Sequence, residues 1–187
     1  SMGRGGKIEE TFKAVVLLGE VLNRLGVRTE IVGFQDELID FKDFEEELTD
    51  DVRKKISGML GEVVNNNPGG HNMRRYNDDG PCLLEASKKL DSRPGKEKIL
   101  LVLSDGKPEG RYSSERDLTR AVEKILSTTN QKLIAVGLGE DTEHVTNFYP
   151  ASIPNVDVTT LPKVLGDLLE DVLTNPQKYS TSAQSRD

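Results

Sequence analysis

The run Ile99-Leu100-Leu101-Val102-Leu103 has no polar residue at any position, so a strand formed there has no face to turn to water. Such strands belong to parallel sheets covered by helices on both faces, and residues 98–103 carry the strongest strand signal in the chain. A second run of this kind, Leu133-Ile134-Ala135-Val136 within residues 132–137, follows a helical pattern over residues 113–126. Residues 29–34, rich in β-branched side chains, and the short stretch Val156-Asp157-Val158 read as two further strands. Helical spacing of apolar residues covers residues 7–25, and Gly26 behind them supplies a left-handed stop. Further helices are expected over residues 50–64, with Thr49 or Asp50 as N-cap, and over residues 81–90, with Pro81 at the first helical position. A last helix covers residues 161–173. This alternation predicts a three-layer α/β sandwich around a mostly parallel sheet. Doubly wound domains begin with a central strand, whereas this chain enters almost directly into a helix. Either the first central strand is missing from the chain or the fold does without it. The expectation is one domain over residues 1–175, truncated at its N-terminus, and a polar, disordered tail over 176–187.

Composition excludes several classes of function. The chain has 187 residues, 35% hydrophobic and 30% charged, a globular balance. No stretch approaches eighteen uninterrupted apolar residues, and no charged-then-apolar leader is visible, so a soluble cytoplasmic protein without membrane contact is expected. The net charge of −7 argues against nucleic acid or anionic lipid as partner, since lysine and arginine supply most of that attraction. The single cysteine, Cys82, forms no internal disulfide and reads as a small apolar residue on the buried side of its helix. Two distant histidines, His71 and His144, do not suggest a metalloenzyme.

Ligands of open parallel sheets gather at the carboxyl ends of the strands. There the sequence places Ser104-Asp105-Gly106-Lys107-Pro108-Glu109-Gly110, in which Asp105 leaves a buried strand directly; the bland reading is an Asp-Gly turn. A second loop, Tyr76-Asn77-Asp78-Asp79-Gly80, leads into a helix and reads equally as its N-cap. A third, Ser1-Met2-Gly3-Arg4-Gly5-Gly6, precedes the first helix and could be only a flexible leader. Together they offer hydroxyl, amide and carboxylate oxygens, the donor set that hard cations such as Mg²⁺ take.

These residues resemble the von Willebrand factor A (VWA) domain with a metal-ion-dependent adhesion site, and within it the C-terminal domain of the cobaltochelatase T-subunit (CobT) type. The likeness rests on Asn77-x-Asp79-Gly80-x-x-Leu83 and on residues 98–103 followed by Ser104-Asp105-Gly106-x-Pro108. It extends through Leu133-Ile134-Ala135-Val136-Gly137-Leu138-Gly139 and Phe148-Tyr149, covering residues 1–173. The resemblance implies a Rossmann-like sandwich holding Mg²⁺, or another divalent cation, whose open position takes a partner's carboxylate. The family's first motif, Asp-x-Ser-x-Ser, ends its central strand; here Ser1 matches its last serine, and the two earlier ligands are absent. The family's threonine ligand falls at Asn77, with Asp79 beside it as a possible substitute, and its final aspartate is Asp105. Lys107 and Glu109, on the rim, would tune partner choice. A ring-forming ATPase subunit and a place in cobalamin biosynthesis are implied as well. With two ligands absent, weak cation binding by this chain is expected.

Other readings fare worse. Gly3-Arg4-Gly5-Gly6-Lys7 lacks the strand, first glycine and hydroxyl residue of a phosphate loop, and no G-x-G-x-x-G follows a strand. No base stands beside a nucleophile, so an interaction module rather than an enzyme is expected. The acidic stretch over residues 40–51 reads as a solvated face, in which Phe41 and Phe44 could mark an edge element or a contact. The alternatives are a structural domain with a degenerate metal site and a metal-dependent α/β hydrolase using Asp79 and Asp105.

Overall fold

The protein's architecture is taken from a computed structural model, which describes residues 6–64, 77–108, 110 and 113–180. Helix α1 (Lys7–Arg24) stops where expected: Gly26 takes φ +70 and its N–H donates to the Asn23 carbonyl. A hairpin follows, β1 (Ile31–Phe34) paired antiparallel with β2 (Leu38–Lys42), and then α2 (Asp50–Val64). Next come α3 (Asp79–Asp91), β3 (Ile99–Ser104), α4 (Glu115–Thr128), β4 (Lys132–Leu138), the one-turn α5 (Val145–Phe148), β5 (Ala151–Val156) and α6 (Leu161–Thr174). β3, β4 and β5 form a parallel sheet in that order.

β4 is buried at every position, as a strand covered on both faces must be. Its side chains alternate between two cores: Leu133 and Ala135 pack with Leu83, Leu118 and Ile125 of α3 and α4. Ile134, Val136 and Leu138 pack with Ala14, Leu161 and Leu165 of α1 and α6. These are the three expected layers. A third cluster, Ile8, Phe41, Leu48, Val52, Ile56 and Met59, fastens the hairpin and α2 to α1.

Four expectations are corrected. First, β3 is only partly buried, although its sequence is the most apolar of the strands. One edge pairs with β4, while the other faces a cavity of about 680 Å³ lined by residues 29–34 on the far side and 99–105 on the near side. Helices α1 and α6 close one face of this slot and α3 the other. β1 and β3 belong to separate sheets, and the slot lies where a strand between them would run. Second, residues 40–51 are not simply a solvated face, because Phe41, Lys42 and Leu48 are buried. Phe41 covers Gly33, where a Cβ would lie 2.8 Å from the ring, and Lys42 Nζ donates to the Thr29 and Asp43 carbonyls at 2.7 and 2.9 Å. Third, the last strand ends at Val156 instead of beginning there; β5 carries Pro154, which an edge strand tolerates because a proline there withholds no bond from a neighbour. Fourth, Pro176–Tyr179, placed in the tail by composition, form a 3-10 turn on α6. Asp171 accepts from the Tyr179 hydroxyl and, at 2.5 Å, from Lys178 Nζ, which pulls its carboxyl down to about 2.

β1 and β3 run in the same direction, because both run against α3. The start of α3 is tied to the end of β1 by the Asp78 N–H, which donates to the Gln35 carbonyl at 2.9 Å. Its end is tied to the beginning of β1 by Lys89 Nζ, 2.6 Å from Glu30 Oε1. At the same end Lys98 Nζ donates to the Asp91 carbonyl at 2.6 Å, where β3 sets out.

Candidate functional site

The carboxyl end of the slot collects the oxygen donors. β3 ends at Ser104, whose hydroxyl donates to the Gly106 carbonyl at 3.0 Å and turns the chain sharply, leaving Asp105 half-buried at the strand tip. Across the slot, α3 begins at Asp79. Asn77, Asp79, Ser104 and Asp105 all line the same cavity.

N-capping does not explain the acidic residues before α3. Asp78 occupies the N-cap position, yet its side chain makes no capping bond and is 1% exposed. Asp79 is 5% exposed, and its Oδ1 is buried with no hydrogen-bond partner among the described residues. Burial pushes the Asp79 carboxyl up to about 7, partly opposed by its own backbone N–H and aided to a smaller degree by the neighbouring Asp78 charge. The same corner holds Tyr149, 5% exposed on the cavity wall, whose phenol is pushed up by burial and then by the Asp79 charge. Cys82, one turn into α3, is buried as expected, and its thiol is pushed up to about 11, again by burial first. A buried acid without a compensating charge is costly to ionise, and a cation beside it would remove that cost.

The structure therefore brings Asn77, Asp79 and Asp105 to one end of one cavity. Lys107 is exposed on the loop beyond Asp105, at the rim. Ser1, Glu109 and His71 lie outside the described residues. Among the described residues, no three His, Cys, Asp or Glu side chains meet as a metal-binding group. The orphaned Asp79 Oδ1, the carboxylate of Asp105 and the amide oxygen of Asn77 fit a hard divalent cation as part of a ligand set, not as a whole one.

Sequence reasoning missed two participants. Gln35 has no motif around it, and its role lies in its backbone carbonyl, which accepts from the Asp78 N–H and, at 3.7 Å, from Cys82 Sγ. Tyr149 is part of the Phe148-Tyr149 motif, but its place beside Asp79 follows from the short α5 turning it inward.

Comparison with known proteins agrees with the fold. Residues 1–174 match the family described as the cobalamin biosynthesis protein CobT VWA domain. The uncharacterized protein PA0525 of Pseudomonas aeruginosa is 34% identical over 127 residues, which are 62% of this chain and 19% of that protein. Among solved structures, the von Willebrand factor type A protein from Catenulispora acidiphila superposes with a TM-score of 0.62 at 16% identity, over 88% of this chain and 38% of that one. Proximal thread matrix protein 1 of the mussel byssus superposes with a TM-score of 0.61 at 16% identity, over 88% of this chain and 42% of that one. The chain thus spans less than half the length of each of these three relatives.

Proposed function

The chain belongs to the family of the cobalamin biosynthesis protein CobT VWA domain, and from that premise we propose a divalent-cation-dependent protein-interaction module. The single observation that carries the reading is the buried, unpartnered Asp79 Oδ1 at the end of the slot that also holds Asp105. Asp79 and Asp105 would hold Mg²⁺ or a similar ion, directly or through water, with the Asn77 amide oxygen and Ser1 as further donors. When bound, the ion supplies a positive charge with an open position for a partner's carboxylate. This chain's own residues do the rest. Asp79 gives up the proton that burial makes it keep near neutral pH, so cation binding and proton release are linked. Lys107, exposed on the rim, attracts an acidic partner.

The slot bears on the same proposal. Lys7, in the first turn of α1, donates to the carbonyl of Leu138, the last residue of β4, at 3.2 Å. α1 therefore begins at the carboxyl end of the sheet. A strand that led into it through the slot would run parallel to β3 and would end beside Asp79 and Asp105. Upstream sequence carrying the family's first motif would thus deliver its serines to the site. In a cobaltochelatase-like assembly the partner would be a ring-forming ATPase subunit. No helix among the described residues is long and apolar enough to cross a membrane.

A second reading, a structural domain with a degenerate site, is favoured by the absence of a three-ligand cluster among the described residues. A pull-down from cell extract separates the two, using wild-type protein, Asp105→Ala and chelator-treated wild type. The interaction reading expects the last two to lose the same partners, and the losses not to add, since both act through one ion. Identical recovery in all three would leave the structural reading standing.

A further inference from the structure

The loop that follows Asp105 and the corner that carries Asn77 and Asp79 are held together at two glycines. At Gly110 a Cβ would lie 2.0 Å from Asp78 Oδ1, 2.7 Å from the Ser113 carbonyl oxygen and 3.0 Å from the Asn77 carbonyl oxygen. No side chain fits there, and only bare backbone lets the loop lie against the corner. The Gly110 N–H donates to the Ser113 carbonyl at 3.0 Å, which closes the loop on itself. Ser113, 6% exposed, accepts at its Oγ from the Gly80 N–H at 3.4 Å, a long bond but a buried one. Gly80 itself sits against α4, where a Cβ would be 3.0 Å from the Asp117 carbonyl carbon and oxygen. α4 is fixed at that end by reciprocal bonds between Ser114 and Asp117. Gly110 and Ser113, downstream of Asp105 in the chain, thereby lie tied against the corner that carries Asn77 and Asp79.

We infer that Gly110 and Ser113 are positioning residues of the cation site, setting the separation between the Asp105 loop and the Asn77–Asp79 corner. This rests on the cation reading above. A methyl group at Gly110 must push the loop away from Asp78, because two of the three atoms it meets are backbone carbonyl oxygens. A displacement that shifted Asp105 would leave a bound ion with one protein oxygen fewer, its place open to water. Losing such an outer support costs metal affinity about tenfold or more.

The test uses Mn²⁺ as the probe and the full-length protein. Binding is followed by titration, and water-proton relaxation of the bound ion reports how many waters it keeps. Gly110→Ala is expected to bind about tenfold more weakly, with higher relaxation enhancement per bound ion. Ser113→Ala is expected to shift both quantities in the same direction by less, and it decides the matter if Gly110→Ala does not fold. A merely structural role would lower the melting temperature in chelator and leave the enhancement per bound ion unchanged, and that result overturns the inference. Asp105→Ala separates the two levels of the argument. If it loses binding while both positioning variants match wild type in affinity and enhancement, the positioning role falls and the site stands. If wild type itself takes up no Mn²⁺, the cation reading falls and the inference falls with it.

Discussion

The backbone N–H of Asp78 donates to the carbonyl of Gln35 at 2.9 Å, so the turn after β1 and the acidic start of α3 are one piece. At the other end of the slot the corresponding tie is ionic. Glu30, whose side chain is 8% exposed, pairs with Lys89 at 2.6 Å, and Lys89 also reaches Asp40 at 2.7 Å. The hairpin is thus fastened to α3 at both ends while its β1 edge faces the cavity.

Removing the ionic tie should therefore loosen the hairpin. Lys89→Met leaves Glu30 a buried carboxylate without its partner and should cost about 2–3 kcal/mol, toward the low end for a buried pair because Lys89 is itself partly exposed. Adding Glu30→Gln should recover part of that loss, because the uncompensated charge goes with it. Urea unfolding of the two single variants and the double variant reads the coupling; strict additivity would mean that the pair carries no interaction.

Asp79 makes stability fall as pH rises. Its carboxyl is raised from 3.8 to about 7, so between those values the folded state keeps a proton that the unfolded state has lost. The resulting loss is complete above about pH 7 and amounts to at most about 4 kcal/mol. Asp79→Asn cannot ionise, so it should match wild type closely near pH 4 and exceed it by several kcal/mol near pH 8 in metal-free buffer. Denaturant melts of both proteins across that range check this. A difference that is flat with pH would show that Asp79 ionises in the folded state as it does in the unfolded one.

Thr142, just beyond the carboxyl end of β4, lies against Gly137 and ties β4 to β5 through hydrogen bonds. It is fully buried, its hydroxyl accepts from the Asn155 N–H at 2.8 Å and donates to the Gly139 carbonyl at 3.1 Å, and its own N–H donates to Asn155 Oδ1 at 3.0 Å. Asn155 adopts φ +56, so the bonds hold a backbone conformation that asparagine accepts and most residues avoid. Thr142→Val keeps the volume and deletes the hydroxyl, and it should cost about 1–3 kcal/mol. Equilibrium unfolding measures the loss, and a change within experimental error would mean that water replaces the hydroxyl without penalty.

The fold was legible where the signal is local. Residues 132–137 state their burial in their own composition, and the stripe of apolar residues along α1 states its period. β2 was not legible, because Asp40 and Lys42 interrupt it and its stability comes from pairing with β1 and from Phe41 lying on Gly33. β5 was hidden by Pro154 and Asn155, which read as a turn unless the strand is known to be an edge. At the site, Asp105 could be found because it leaves a buried strand directly. Asp79 could be named but not distinguished from Asp78, since only tertiary packing leaves the Asp79 Oδ1 unpartnered on the cavity wall and lodges Asp78 against Gly110.

If Asp79 and Asp105 are part of a cation site, a strand that carries the family's first motif and enters the slot ahead of α1 would complete it. Calorimetric titration with Mg²⁺ decides this by comparing residues 1–187, the same residues preceded by a strand bearing that motif, and the Asp105→Ala variant of the longer protein. Weak or undetectable binding is expected of residues 1–187, clearly tighter binding once that strand is present, and loss of that binding in Asp105→Ala. Equal affinity in all three would contradict it.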